Sequence, residues 1–353
     1  MEQQSTKGIC EEALLETLES LSTNTTTIFD AAIQQVKNMN KHYFQVARHV
    51  LSWLVAAARP LKVDEVRHAF AINWADSTFD RRYTLRDDEI TRSCAGIVVI
   101  GAEILQPVHE SVLEHIRCSS VIFDNPHAEV ALQCLTYLSQ PGFTKLFITK
   151  DDYRNFVRDH PLARYTTKYW FEHVARSKPN NQVESRTLRF LKNSAALLFS
   201  FYLQDPDLPQ GINGLHACAY FDMESWARRL IEDKVDINHQ DGNGRTGLHW
   251  AVTYNHQWLV ELLIQQDAQL DIEDRAGNTA FHLAVRQNRE ALVRCLIKST
   301  ARRDIRNKQG FTPLRWAIEH GPSSIVFVLV KSRVEVDVED SDGYTPLKWA
   351  IFQ

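Results

Sequence analysis

Three histidines, His216, His249 and His282, recur every 33 residues. Imidazoles at fixed spacing can hold a divalent metal if other ligands converge with them. Arg315 and Lys348 take the next two places in the column, so no ligand set runs through the series. His109-Glu110 opens like H-E-x-x-H, in which two His one helical turn apart share zinc and the Glu serves as base. Leu113 stands where the second His would be. His115 lies six residues on from His109, about 240° around a helix, so the two cannot grip one ion. No G-x-S-x-G nucleophile elbow occurs. The six cysteines, Cys10, Cys94, Cys118, Cys134, Cys218 and Cys295, form no C-x-x-C pair. They read as small buried hydrophobes in a reducing compartment rather than as a zinc or disulfide framework. No Gly-Lys dipeptide is present, only Lys7-Gly8, so the loop that wraps phosphates, G-x-x-x-x-G-K-[ST], is missing. The expectation is a non-enzymatic chain with no catalytic residue, no metal and no cofactor.

The histidines instead mark a repeat. Thr246, Thr279, Thr312 and Thr345 share the 33-residue spacing, and Asn213 lies one period earlier. The columns Leu215, Leu248, Phe281, Leu314, Leu347 and Cys218, Ala251, Ala284, Ala317, Ala350 keep the same phase without a gap. Asp241, Asp274, Asn307 and Asp340 each precede a Gly by three residues, the chemistry of a turn whose first side chain bonds the backbone two residues on. Thr follows at N-cap-like spacing. Asp222, Asn255, Asn288 and Gly321 then end the first helix of each unit, and all four types tolerate a left-handed conformation. Second helices carry Leu230-Ile231, Leu263-Ile264, Leu296-Ile297 and Leu329-Val330, pairs predicted to stack into one continuous core.

This region resembles the ankyrin repeat. Its T-P-L-H motif appears as Thr312-Pro-Leu-Arg315 and Thr345-Pro-Leu-Lys348, and more loosely as Thr246-Gly-Leu-His249, Thr279-Ala-Phe-His282 and Asn213-Gly-Leu-His216. The resemblance implies a structural histidine that bonds backbone and Thr within its turn. Gln353 falls inside the first helix of a fifth unit, leaving Leu347, Trp349, Ala350, Ile351 and Phe352 partly uncovered. The expectation is therefore that the natural array continues, that this chain is a truncated product, or that a partner covers the end.

Before the array, residues 11–38 and 42–58 read as helices, and Arg59-Pro60 stops the second. Short helices are expected at 64–71 and 90–94. Strands at 97–100 and 104–108 flank a turn, and a helix follows at 109–117. Three helices and a hairpin suggest a winged helix. The words HVLSWLVAAARPLKVDEVRHAFAI, CAGIVVI, VALQCLTYL and PLARYTTKYWFEHV, in that order, resemble the segment after the NACHT nucleotide-binding domain in fungal NACHT–ankyrin proteins, which are NOD-like receptor-type signalling proteins. That resemblance implies a winged helix and helical linker leading into the repeats. A helix near 183–203, with Leu197-Leu198 one period before Leu230-Ile231, is expected to cap the first repeat. Tyr169-Trp170-Phe171 and 199–202 read as core aromatics.

Forty Lys+Arg oppose 44 Asp+Glu, for a net charge of −4. Residues 42–117 carry 9 basic and 10 acidic side chains, and the expected recognition helix starts at Asp87-Asp88-Glu89, which would repel phosphate. No nucleic acid is expected as a partner. No apolar run approaches the roughly 20 residues that span a bilayer, and Met1-Glu2-Gln3-Gln4 opens no secretory signal. The expected setting is cytoplasmic, with no membrane partner.

The fold class is thus mainly α, with a winged-helix and helical linker domain followed by an ankyrin-repeat solenoid. The expected domains are a helical segment (1–40), a winged-helix-like domain (41–125), a helical linker and array cap (126–205) and the repeats (206–353), four full and one truncated. The ankyrin resemblance implies a partner bound on the concave face, by turn tips and exposed first-helix positions. These are Asn243, Arg245, Thr253 and Tyr254, then Arg275, Asn278, Arg286 and Gln287, then Lys308, Phe311, Glu319 and His320, then Asp342 and Tyr344. Basic residues gather in the middle units, so a protein partner with an acidic patch is expected, although any one of them could be a solvating surface charge. The function read from the sequence is a protein–protein recognition module of a NACHT-type signalling or innate-immunity-like protein. The alternative is a fragment of a nucleotide-regulated signal-transduction ATPase whose P-loop domain lies upstream.

Overall fold

A computed structural model describes residues 27–73, 78–79, 85–118, 124–140, 150–205 and 208–332, together with 334, 339, 343–345, 348 and 351. The chain divides into two compact units, Met1–Arg186 and Thr187–Gln353.

In the first unit, α1 covers residues 27–37. Asn40 caps α2 (Lys41–Ala56) by accepting from the Tyr43 amide, and Val46, Val50, Leu51, Trp53 and Leu54 bury its apolar stripe. α2 stops short of Arg59-Pro60. Arg59 makes paired bonds to Glu65 (2.5 and 2.9 Å), which also accepts from the Lys62 amide. Glu65 is buried, so this charge-assisted fork satisfies a carboxylate that would otherwise be costly to desolvate. It fixes the entry to α3 (Val63–Phe70). α4 (Asp87–Ser93) follows.

β4 (Val98–Gly101) and β5 (Ile104–Pro107) then pair antiparallel, with Val98 opposite Pro107 and Gly101 opposite Ile104. Ala102 and Glu103 turn the corner with φ of 49° and 64°, the double left-handed geometry that suits a tight hairpin. β1 (Leu61–Lys62) pairs on the other side of β5. β2 (Ile72–Asn73) and β3 (Thr78–Phe79) form a separate two-strand pair. The sequence pattern gave no sign of these three short strands. α5 (Glu110–Cys118) closes the winged arrangement.

α6 (Pro126–Leu138), capped by Asn125 and opened by Pro126, packs along α8 (Ala163–Arg176), with α7 (Lys150–Asp159) between them in sequence. Trp170 is fully buried, as expected for a core aromatic. The Tyr165 hydroxyl lies 2.8 Å from His173 Nε2, and His173 Nδ1 lies 3.1 Å from His127 Nδ1. Expected helix residues before 27 lie outside the described residues.

The second unit is a succession of helix pairs. Residues 183–203 are not one helix: α9 (Asn181–Lys192) ends, and α10 (Ser194–Tyr202) restarts with the Asn193 side chain accepting from the Ala196 amide. Asn here offers the backbone a cap in place of a continuing helix. Phe201 of α10 sits 5.0 Å from Tyr220 and 5.4 Å from Phe221, so α10 covers the next helix.

The four units that follow are α11–α12 (Gly214–Phe221, Glu224–Glu232), α13–α14 (Gly247–Thr253, Gln257–Gln265), α15–α16 (Ala280–Arg286, Glu290–Lys298) and α17–α18 (Pro313–His320, Ser323–Lys331). The columns Cys218, Ala251, Ala284, Ala317 and Leu230, Leu263, Leu296, Leu329 are each fully buried. Small residues let the first helices approach, and leucines fill the gap between the second ones. Only the first member of each expected pair is core. Ile231, Ile264 and Ile297 are half-buried, and Val330 is exposed.

Asp222, Asn255 and Asn288 take φ of 56°, 63° and 56°. The next amide in each case bonds back to the first helix, as His256 does to the Ala251 carbonyl at 2.9 Å. Gly321 departs from this, with φ −95° and ψ 165°. Pro322 follows it, supplies no N–H for the closing bond and drives its predecessor into the extended region.

Candidate partner-binding face

The turn tips are built from one carboxylate or amide apiece. Asp241 Oδ1 accepts from the amides of Asn243 (2.8 Å) and Arg245 (2.9 Å), and the Gly244 amide donates to the Asp241 carbonyl (2.8 Å). Asp274 does the same for Ala276 and Asn278, and Asn307 for Gln309 and Phe311. Gly244, Gly277 and Gly310 have φ of 75°, 78° and 79°, the left-handed region in which Cβ is costly. Successive turns are joined edge to edge. The Arg275 amide bonds the Asn243 carbonyl at 2.8 Å, and the Lys308 amide bonds the Ala276 carbonyl at 3.0 Å. The tips therefore form one hydrogen-bonded ladder, and side chains that point off it are held by rigid backbone.

The histidine column locks each first helix to the ladder. His249 Nδ1 accepts from the Thr246 amide (3.2 Å) and lies 2.9 Å from Thr246 Oγ1. Its Nε2 reaches the Asn278 carbonyl of the following turn at 3.1 Å. His216 reaches the Arg245 carbonyl (2.9 Å) and His282 the Phe311 carbonyl (3.2 Å) in the same way. Burial lowers His216 to about 4, against the smaller upward pull of its bond to Arg245. Burial also depresses His249 and His282. These rings are neutral, with both nitrogens committed to protein groups, which is the structural role implied by the resemblance. Among the described residues, no group of three or more His, Cys, Asp or Glu is placed to hold a metal ion.

Of the residues expected on the binding face, Asn243, Tyr254, Arg275, Arg286, Lys308, His320 and Tyr344 are exposed. Thr253, Gln287, Phe311 and Glu319 are half-buried. Thr253 spends its hydroxyl on the His249 carbonyl (2.8 Å), and the Arg315 guanidinium covers the Phe311 ring at 4.0 Å.

One expectation needs correction. Asn278 is 6% exposed: its Oδ1 accepts from Asn307 Nδ2 at 2.9 Å and its carbonyl accepts from His249. Its position points between neighbouring turns rather than at a partner, so it is a structural residue. Arg245 shares that column but is half-buried, its side chain 37% exposed and its Nε 3.7 Å from Oδ2 of the buried Asp274. Asp342 lies outside the described residues.

Sequence reading also passed over Tyr220, which holds in the first unit the column of Thr253, Arg286 and Glu319. Its ring is 5.2 Å from Tyr254, and Tyr254 is 5.8 Å from Trp250. This aromatic group, with Trp250 buried, Tyr220 half-buried and Tyr254 exposed, stands at one end of the face, and the cations Arg275, Arg286 and Lys308 stand further along. The signal was present in the column, one unit before the residues considered.

A family model for ankyrin repeats matches three times, over residues 190–274, 215–304 and 259–340. The array is made of ankyrin repeats. A second model, described as GPI inositol-deacylase, winged helix domain, matches residues 35–132, the span of α2–α5 and the hairpin β4–β5. The mainly helical chain thus carries a winged helix domain and ankyrin repeats. A curated relative, azaphilone pigments biosynthesis cluster protein L of Monascus ruber, is 24% identical over 161 residues, covering 40% of this chain and 33% of that protein. The chain thus spans about a third of that protein's length. Among the described residues, no helix is long and apolar enough to cross a membrane.

Proposed function

We propose that this chain is a non-enzymatic recognition module. The ankyrin repeats imply a protein partner, and the finer reading places it on the face made by turn tips and first helices, concave in this family. The observation that carries the reading is the ladder. It holds Arg275 and Lys308 exposed on rigid backbone, with Arg286 exposed at the end of α15, while the polar groups of Asp241, Asp274, Asn307 and the histidines are used internally. Preorganised cations beside an aromatic cluster suit a partner with an acidic patch.

The winged helix matches the segment that follows a NACHT domain in the resemblance given above, so the proposed setting is a cytoplasmic, NACHT-type signalling protein. Nucleic acid is not the proposed partner of the winged helix. α4 opens on the exposed acids Asp87 and Asp88 and the half-buried Glu89, and Arg67 is engaged by Asp64 and Asp87. The test is affinity enrichment from cells with the full chain and with an Arg275→Glu, Arg286→Glu, Lys308→Glu variant. The reading requires partners that the variant loses.

A second reading is favoured by the winged-helix match and by the greater length of the relative: the chain is the C-terminal part of a nucleotide-switched ATPase. The mass of the endogenous protein, read by immunoblot with an antibody to residues 206–353, separates the two. A band near the calculated mass supports a free-standing adaptor, and a much larger band supports the ATPase.

A further inference from the structure

The outward faces of the second helices also follow columns. Arg228, Glu261 and Arg294 occupy one column in three successive units, and Phe327 takes it in the fourth. Phe327 is 65% exposed. A following unit does not cover this column, because Arg228, Glu261 and Arg294 are all exposed with another unit after each. Val330 is different: its counterparts Ile231, Ile264 and Ile297 become half-buried beneath the next unit. Array continuation therefore accounts for Val330 but leaves the Phe327 ring in water, beside the half-buried Ile297 and with the Lys331 ammonium 5.8 Å from its centroid.

The ring walls a groove of about 340 Å³ between α16 and α18, opposite Ile297 and flanked by Arg294, Lys298 and Lys331. Arg303 fixes its end by donating to the carbonyls of Ile297 (2.7 Å) and Ser332 (2.8 Å). That clamp satisfies the last turns of both helices. No carboxylate lines this groove, whereas the equivalent groove one unit earlier has Glu261 in its lining. Arg294 is held by Glu290 at 2.7 Å, and the Lys331 ammonium lies over the Phe327 ring, so neither Lys298 nor Lys331 meets a carboxylate within the groove lining. Lysines in a last helical turn also favour the helix dipole. That explains their charge but not an exposed ring between them.

We propose that this groove is a second protein-docking site, distinct from the turn-side face, and that it takes an acidic peptide segment bearing one aromatic or branched apolar side chain. The apolar side chain packs between Ile297 and Phe327, and the flanking carboxylates meet Lys298 and Lys331. Charge complementarity sets the class of occupant, and the exposed ring sets the need for an apolar anchor.

The test is fluorescence polarisation on the full chain with a labelled peptide of about a dozen residues, glutamates around a single phenylalanine, beside an all-glutamate peptide. The phenylalanine peptide is expected to bind. Phe327→Arg, which places in the fourth unit the residue type of Arg294, and Lys298→Glu with Lys331→Glu are each expected to weaken it roughly tenfold or more. Arg275→Glu with Arg286→Glu is expected to leave it unchanged, so the proposal can fail or stand independently of the turn-side reading. No binding, equal binding of the all-glutamate peptide, or indifference to Phe327→Arg overturns it. Capture of phosphatidylserine vesicles in place of the peptide also overturns it, in favour of a lipid surface.

Discussion

His249 reaches across a repeat boundary to Asn278: Nε2 lies 3.1 Å from the Asn278 carbonyl, while Nδ1 accepts from the Thr246 amide of its own unit. The accepting Nδ1 requires the proton on Nε2, so the ring donates to the next turn. One neutral side chain thereby caps its own helix and anchors its neighbour. Replacing it leaves the buried Thr246 amide unpaired and the Asn278 carbonyl held by the Asp274 amide alone (2.8 Å). His249→Ala is expected to cost about 2–4 kcal/mol from the lost bonds together with the cavity, read as a lowered urea midpoint of the full chain. A midpoint within error of wild type would show that the ring does not anchor the turns.

The same chemistry makes the repeats acid-sensitive. Burial holds His216 near 4 and depresses His249 and His282, whereas an unfolded imidazole titrates near 6.5. As pH falls from about 6.5 towards 4, the unfolded chain takes up protons that the folded repeats refuse, so stability drops. One group moved from 6.5 to 4 costs on the order of 2 kcal/mol at pH 5. Unfolding midpoints at pH 7.5 and pH 5 are expected to differ in that direction. Replacing His216 with Gln is expected to shrink the difference. A pH-independent midpoint would contradict neutral, buried rings.

Gly277 tests the ladder. Its φ is +78°, and a Cβ there would lie 2.6 Å from the Lys308 amide nitrogen of the next turn. Gly96 has the same backbone sign with nothing within 4 Å. Both alanine substitutions meet left-handed strain, about 1 kcal/mol, but Gly277→Ala must also push two turns apart. It is expected to lose about 1–3 kcal/mol more than Gly96→Ala. Equal losses, measured by denaturant titration, would argue that the turns are not in contact.

Arg245 and Arg286 separate structure from recognition. Arg245→Glu sets a carboxylate beside the buried Asp274 and is expected to lower stability by about 1 kcal/mol. Arg286, exposed on the first-helix face, is expected to tolerate the same change with an unaltered melting temperature. Differential scanning fluorimetry distinguishes them. A stable Arg245→Glu would show that the approach to Asp274 carries no stability.

The repeat was legible because its signals are redundant: Thr, Leu, His and Ala columns agree in phase, and each serves local chemistry that a single sequence displays. The winged helix was legible in its helices and hairpin. β1, β2 and β3 were not, because two-residue strands carry no periodicity and form only where a partner strand passes. The break at Asn193 had a signal, an N-cap residue, but the apolar period ran across it and suggested one helix. At the candidate face, exposure was inferred from column alone. That fails where a polar side chain finds a partner in the adjacent turn, as Asn278 does with Asn307. It also missed Tyr220, whose place in the face shows only when the first unit is included. Gly321 was assigned by residue type, and the proline after it decided its conformation.

The most direct test of the turn-side face is site-specific photo-crosslinking in cells. A benzophenone side chain replaces Tyr254, Arg286 or, on the opposite side of the repeats, Arg228. The account predicts adducts to the same protein from positions 254 and 286 and none from 228. Adducts from 228 alone, or equally from all three positions, would contradict recognition through the turn tips and first helices.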